Sequence, residues 1–491
     1  IRERINVEDK KKITANYIYN LIYQILTIIL PIITTPYLSR VLGSEGIGIY
    51  GYTISIVTYF TLIGALGISK YGQREIAYVQ NDITKRSKIF WELNIIKMCT
   101  IVISTITFFM LFCIKGEYVV YYRILLLELL AVFFDITWFY QGIEEFKKIV
   151  IRNTIVKIIS IILIFILIKD ANDLIKYVYI YVLSNFLGNG ILWLNIKKYV
   201  VKIKINFIDV KKHIRPMVSL FIPQIATSVY TVLDKTMLGI LESNISEVGY
   251  YEQSQKIIKI ALTFVTTMSI VMLPRISNTY ANGDKEKVKR YMKKSFQFNW
   301  FLSIPIILGI MAISKQFVPW FYGEGYTKII KLLICTSPII LPIAFSTTIG
   351  SQYLVSIKKQ NIQTVAVIIG AIANVVFNLI LIPKLKSEGA VIATVIAEFL
   401  ITLIEVLYVI KNGEIKIKDM FDQAYKYIIA GIIMFVSVYV ISLKMPVGIV
   451  YTMSQIIVGI IVYTLVLIAL KDEFLDNVLI NFRKRIKNAK H

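Results

Sequence analysis

Histidine is nearly absent from this sequence: the 491 residues hold two, His213 and His491. Cysteine is almost as scarce. Cys99, Cys113 and Cys335 all fall within apolar runs, with no CxxC pair and no histidine beside them, so local spacing offers neither a disulfide framework nor a zinc site. They read as buried, inert thiols, and metal or acid–base chemistry built on histidine has almost no material. Acidic residues are also few, 31 against 55 lysines and arginines, which leaves a formal net charge of +24. Proline is sparse at 11 residues, yet two of them interrupt one apolar stretch, "LPIITTPYLSRVLG" at 30–43.

What is abundant is apolar sequence. The chain is 56% hydrophobic with a mean hydropathy of +0.67. It repeatedly shows runs of about 15–25 residues, such as "TIVISTITFFMLFCI", that are apolar nearly all round, as lipid solvation permits and water does not. These runs predict an all-α integral membrane protein, because backbone polar groups in lipid must be satisfied within each helix. The first apolar run is too long for a secretion signal and lacks a small-residue cleavage site, so no removable signal peptide is expected. Hydropathy places fourteen spans, at 14–41, 46–68, 89–114, 118–142, 149–168, 173–196, 216–241, 249–274, 295–318, 329–354, 361–382, 389–410, 424–443 and 448–470.

Lysines and arginines outside these spans set the orientation. The two ends and the even-numbered links carry 37 of them and the odd-numbered links carry 6, so both termini are expected in the cytoplasm. The most basic links, "NIKKYVVKIKINFIDVKKHIRP" and "RISNTYANGDKEKVKRYMKK", then lie on the cytoplasmic side. This distribution fits topology signals and anionic lipid headgroups, and no nucleic-acid partner is expected.

The chain also reads as two related halves. Span 1 has Pro31-x-Ile33-x-Thr35 and span 7 has Pro223-x-Ile225-x-Thr227; Gly48 to Arg74 and Gly249 to Arg275 are both separations of 26 residues. Halves with six spans each share one orientation, which implies an axis along the membrane normal and a central cavity. The domain reading is a cytoplasmic N-terminus (1–12), an N-lobe (13–198), a basic cytoplasmic linker (199–215), a C-lobe (216–411), two additional spans (424–470) and a basic cytoplasmic C-terminus (471–491).

Four motifs, "LPIITTPYLSRVLGSEGIG", "WFYQGIEEFKKIVIRN", "PRISNTYANGDKEKVK" and "NVVFNLILIPKLKSEGAVIATVIAE", occur in an order that resembles the bacterial polysaccharide-unit flippases of the multidrug/oligosaccharidyl-lipid/polysaccharide exporter superfamily. The resemblance covers residues 13 to about 410. It implies two six-helix lobes in a V plus two extra C-terminal helices, and alternating access. It further implies export of an undecaprenyl-diphosphate-linked oligosaccharide across the bacterial cytoplasmic membrane, with other polysaccharide assembly proteins as partners. On this reading span 1 lines the cavity, and Pro31 and Pro36, with Pro223 in span 7, bend helices at a gate.

Cations within apolar spans are costly to insert, and a diphosphate headgroup supplies a reason to keep them. The headgroup candidates are Lys259, Lys157, Arg123, Lys256 and Lys97, together with Arg40, which lies close enough to its span end to snorkel. The competing assignment is internal pairing with Glu92, Glu128, Asp135, Glu252 or Glu398; Glu252 precedes Lys256 by one turn. "GSEGIG" lacks the ending of a nucleotide-binding loop, so an ion gradient or the membrane potential is expected to bias the cycle. Asp234, Asn374, Asn378 and Thr394 are candidates for a cation site with oxygen ligands. They resemble the sodium site of some lipid-linked-precursor flippases, with Asn378 where a second carboxylate is expected, so Na⁺ or H⁺ is the expected coupling ion and no cofactor is. The alternatives are a drug or cation antiporter of the same fold and a membrane-embedded glycan polymerase or ligase. The latter needs a large external loop, and the longest external link here, "PWFYGEGYTK", is short. The chain reads as a transporter rather than an enzyme.

Overall fold

The computed structural model describes residues 2–412, 415–477 and 480, with side chains from residue 27 onward apart from 207–208, 222–231 and 270. Every regular element among the described residues is helical. In chain order these are α1 (Arg2–Ala65), α2 (Ile68–Tyr78), α3 (Ile83–Phe112), α4 (Val119–Phe134), α5 (Thr137–Gly142), α6 (Phe146–Leu167), α7 (Leu174–Trp193), α8 (Phe207–Leu241), α9 (Ser246–Ala281), α10 (Lys285–Tyr322), α11 (Lys328–Thr336), α12 (Ile340–Ser346), α13 (Gln360–Leu385), α14 (Ser387–Lys411), α15 (Ile417–Met420), α16 (Ala424–Ser442) and α17 (Ile449–Ala469). A π-helical segment, Thr347–Leu354, continues α12.

Eleven runs among the described residues are long and apolar enough to cross a membrane. Expected spans 1 and 2 fall in a single run, Thr27–Tyr78, and expected span 4 is split into α4 and α5, of 16 and 6 residues. Expected span 7 lies in α8, much of whose side-chain surroundings are outside the described residues. Within α1 the helix is broken at Gly43, with φ 68° and ψ 177°. A side chain added there would meet nothing within 4 Å, so the backbone angle, and not crowding, is what calls for glycine.

The chain divides into two compact units, 1–239 and 240–491. The division falls inside α8, whose first part packs on the first unit: His213 and Met217 are buried against α2 and α3, and Phe221 lies against Gly67. The first unit has two cores. One gathers Leu38, Ile56, Phe108, Leu129, Ile164 and Val178, and the other Phe90, Trp138, Tyr140, Leu192 and Met217. The second unit likewise has one core around Phe296, Trp300, Ile349 and Tyr427 and another around Ile258, Phe321, Tyr322 and Ile340. Small residues let α13 and α14 approach closely: Ala366, Ala390, Ala393 and Ala397 are all completely buried.

Large apolar side chains outside these cores face outward along the helices, among them Ile103 and Met110 (65% exposed each) and Ile460 (61%). Such a surface is unfavourable in water and costs nothing against acyl chains. Of the three thiols, Cys113 is buried, Cys335 half-buried and Cys99 exposed, so the expectation of burial fails for Cys99, which sits on an outward face of α3.

Candidate functional site

The polar interior of the first unit is organised by the break between α4 and α5. Asp135 takes an extended conformation (φ −71°, ψ 107°) and its Oδ1 accepts a hydrogen bond from the Thr137 amide at 2.8 Å, which stops α4. A helix end inside a bundle leaves carbonyls that need donors. Asn189 donates to the Ala131 carbonyl at 2.8 Å, Trp193 to that of Phe134 at 2.8 Å and Lys97 Nζ to that of Asp135 at 2.7 Å. Lys97, only 1% exposed, therefore serves the helix end. Arg152 joins the same network, donating to Asn189 Oδ1 at 3.0 Å and Thr137 Oγ1 at 3.1 Å. Arg123 sits apart: it is exposed and donates to the Cys113 carbonyl at the end of α3, at 3.0 Å. Arg40 is exposed on α1 and donates to the Pro36 carbonyl at 3.3 Å.

Lys157 occupies a different setting. Between α1, α6 and α7 lies a cavity of about 250 Å³ whose lining includes Pro31, Lys157, Ser160, Tyr177, Tyr181 and Asn185. Pro31 cannot donate to the preceding turn of α1, and the cavity lies alongside it. Ser160 donates to Ser184 at 2.7 Å across this wall, and Asn185 donates to both oxygens of Glu128, at 3.1 and 3.0 Å. The structure thus brings Lys157 and Pro31 to one cavity with hydroxyl and amide groups. Pro36 lies farther along α1, and Pro223 is in α8, where its side chain is outside the described residues.

The cation-site candidates fall into two groups. Asn374 and Asn378, one turn apart on α13, are completely buried; Asn378 Nδ2 donates to Asn374 Oδ1 at 3.1 Å, and Asn374 Nδ2 lies 3.5 Å from Thr394 Oγ1 on α14. These are neutral oxygens and amides. Asp234 belongs to the first unit, buried at 4% exposure and partnered. Its neighbour Thr236 meets Ser55 at 2.8 Å and Tyr59 at 3.0 Å. Among the described residues no group of three or more His, Cys, Asp or Glu side chains could hold a metal. On α9, Lys256 is half-buried and partnered, and Lys259 is exposed.

Two networks escape a reading by motif. Glu92, completely buried on α3, accepts from His213 Nε2 at 2.8 Å, and His213 Nδ1 meets the Tyr71 hydroxyl at 2.7 Å. In the second unit Glu247 receives Lys328 Nζ at 2.6 and 2.7 Å and the Ser387 hydroxyl at 2.5 Å. The first had one usable signal, a lone interior histidine in a chain that holds a glutamate within a span. The second had none, since its members are 81 and 140 residues apart.

Outward apolar helices around polar, charged interiors define a multi-pass helical membrane protein. The chain belongs to the polysaccharide biosynthesis protein family, which it matches over residues 13–280; residues 220–380 also match the MatE family. It is 24% identical over 414 residues to the putative O-antigen transporter of Escherichia coli (strain K12), an alignment spanning 82% of this chain and 98% of that one. It is 24% identical over 212 residues to the lipid II flippase MurJ of Bacillus subtilis (strain 168), spanning 42% and 39%. The fold is similar to that of lipid II flippase MurJ in an inward closed conformation, with a TM-score of 0.72 and 18% identity over 94% of this chain and 99% of that one. It is also similar to an inward-facing multidrug resistance MATE family transporter of the MOP superfamily, with a TM-score of 0.63 and 15% identity over 79% and 94%.

Proposed function

We propose that the chain is a flippase that moves an undecaprenyl-diphosphate-linked oligosaccharide from the cytoplasmic to the outer leaflet by alternating access, with fourteen spans and both termini in the cytoplasm. The observation that carries this reading is the cavity at Lys157. A diphosphate brings negative charge into a low-dielectric interior, where an ammonium supplies countercharge and donors, and the surrounding hydroxyls and amides suit sugar hydroxyls. Family membership and relatives named as an O-antigen transporter and a lipid II flippase support the same substrate class. Lys256 and Lys259 on α9 add positive charge in the second unit. Other polysaccharide assembly proteins would supply the substrate and receive it.

A drug or cation antiporter is the competing reading, favoured by the MatE match; a lysine in the cavity suits an anionic headgroup better than a cationic drug. The test is transport by the full-length protein in vesicles. Lys157→Ala should lower flipping of a lipid-linked oligosaccharide about tenfold, the worth of one charge-assisted hydrogen bond, with protein abundance unchanged, and Arg should restore more than Gln does. Export of cationic drugs without flipping would overturn the reading. The coupling ion is Na⁺ or H⁺, and Asp234 is the one carboxylate among the candidate cation-site residues, the others, Asn374, Asn378 and Thr394, being neutral. In the same vesicles Asp234→Asn should abolish the response to an imposed Na⁺ gradient, and an unchanged response would remove Asp234 from that role.

A further inference from the structure

Glu405, on α14, is completely buried, and neither carboxyl oxygen accepts a hydrogen bond among the described residues. Its surroundings are built to receive it. A Cβ added at Gly350, in the π-helical segment, would lie 2.6 Å from Glu405 Oε1 and 2.6 Å from Gln363 Nε2, so the glycine makes room for two polar side chains against this segment. The Gln363 amide is turned to Ser351, to which it donates at 3.0 Å, and the Ser346 hydroxyl lies close to the carboxyl. Among the described residues no cation is paired with it. The charged neighbour on its own helix is Glu398, a like charge, and Lys359 at the head of α13 lies 5.5 Å from the centre of the Tyr408 ring. The elements packed on α14 also carry Tyr353 in the π-helical segment, Lys256, Lys259 and Arg275 on α9, Lys328, Lys331 and Cys335 on α11 and Lys384 on α13, and none of these is paired with Glu405 among the described residues.

An ionised carboxylate with no cation opposite and only a serine hydroxyl nearby is poorly sustained in a protein interior within a bilayer; it neutralises or finds a charged partner. Neutral, it needs only to fit. The adjoining π-helix matters because its wide hydrogen-bonded rings are uncommon and frequent at functional sites. We infer that Glu405 is a proton-binding site of the second unit, holding its proton while α14 packs on Thr347–Leu354 and releasing it when that segment opens to water. The inference stands apart from the substrate reading above, since it concerns proton occupancy and not what is carried.

The experiment uses the full-length protein in lipid nanodiscs. The infrared carbonyl stretch of a protonated carboxylic acid, recorded at neutral pH, should contain a component that Glu405→Gln removes. An identical acid band in the two proteins would overturn the proposal. Glutamine is the neutral isostere of the protonated acid, so Glu405→Gln should fold with unchanged thermal stability; a variant that failed to fold would also overturn it, because an ionised side chain would then be required. Hydrogen exchange of the 347–354 segment, corrected for the chemical exchange rate, should rise with pH in the wild-type protein and stay flat in Glu405→Gln. A rise of equal size in both would refute the link between the proton and the opening.

Discussion

The two units handle buried carboxylates in different ways. In the first, Glu92 is served by a histidine at 2.8 Å, with the ammonium groups of Lys88 and Lys212 each 3.9 Å away, and Glu128 is served by one amide. In the second, Glu247 receives an ammonium, a hydroxyl and an amide, while Glu405 has only the Ser346 hydroxyl close by and no cation paired with it among the described residues. A partnered carboxylate works as a staple. Glu92 ties α3 to α8, Glu128 ties α4 to α7, and Glu247 ties α9 to α11 and to the first turn of α14, where it also receives the Ser387 amide at 3.2 Å, as an anion at a helix N-terminus does. An unpartnered one holds nothing together and costs free energy unless it is neutral. The contrast separates acids that fix the bundle from an acid free to change its proton.

The sharpest way to break this comparison is to remove the best-enclosed acid. Glu247→Ala leaves the Lys328 ammonium and the Ser387 hydroxyl without their acceptor, and the loss expected from breaking a buried ion pair is about 3 kcal/mol. Thermal unfolding of the purified protein in detergent measures it. If Glu247→Ala were no more destabilising than Glu405→Gln, the distinction between stapling and unpartnered acids would fail.

Much of the helical layout was legible. The expected spans 361–382, 389–410, 424–443 and 448–470 lie within Gln360–Leu385, Ser387–Lys411, Ala424–Ser442 and Ile449–Ala469 or overlap them to within a residue at an end, because an apolar run of that length has one good conformation in lipid. Interruptions were less visible. "FFDITW" carries a helix-stop signal in Asp135, whose side chain binds the amide two residues on, but the apolar residues around it hide the break. The π-helical segment at Thr347–Leu354 has no composition to announce it. The site was legible as an inventory of charges and not as an arrangement. Lys97 and Lys157 read alike as deep lysines, yet one serves a helix end and the other lines a cavity. Which of the two it does depends on α4 and α7, elements that sequence spacing alone does not bring together.

The smallest expected effect comes from the acid at the exposed margin of the Glu92 network. Asp209, in the first turn of α8 and outside the apolar part of that helix, pairs with Lys88 at 2.5 Å and with Lys212 at 3.5 Å. The Lys88 ammonium, with Lys212 behind it, holds the Asp209 carboxyl below its ordinary value. The sign follows from linkage. The folded protein keeps this carboxylate ionised at a pH where the unfolded chain has taken up the proton, so the contribution to stability is fully present above the unfolded value and fades as pH falls through the folded one. Solvent screens both partners, so the contribution is small. Asp209→Asn should therefore change stability at neutral pH far less than Glu247→Ala and should flatten the acid limb of the unfolding curve near the carboxylate range. A steep loss at neutral pH would instead mean that Asp209 works as an interior staple, and the line drawn here between margin and core would have to move outward to include it.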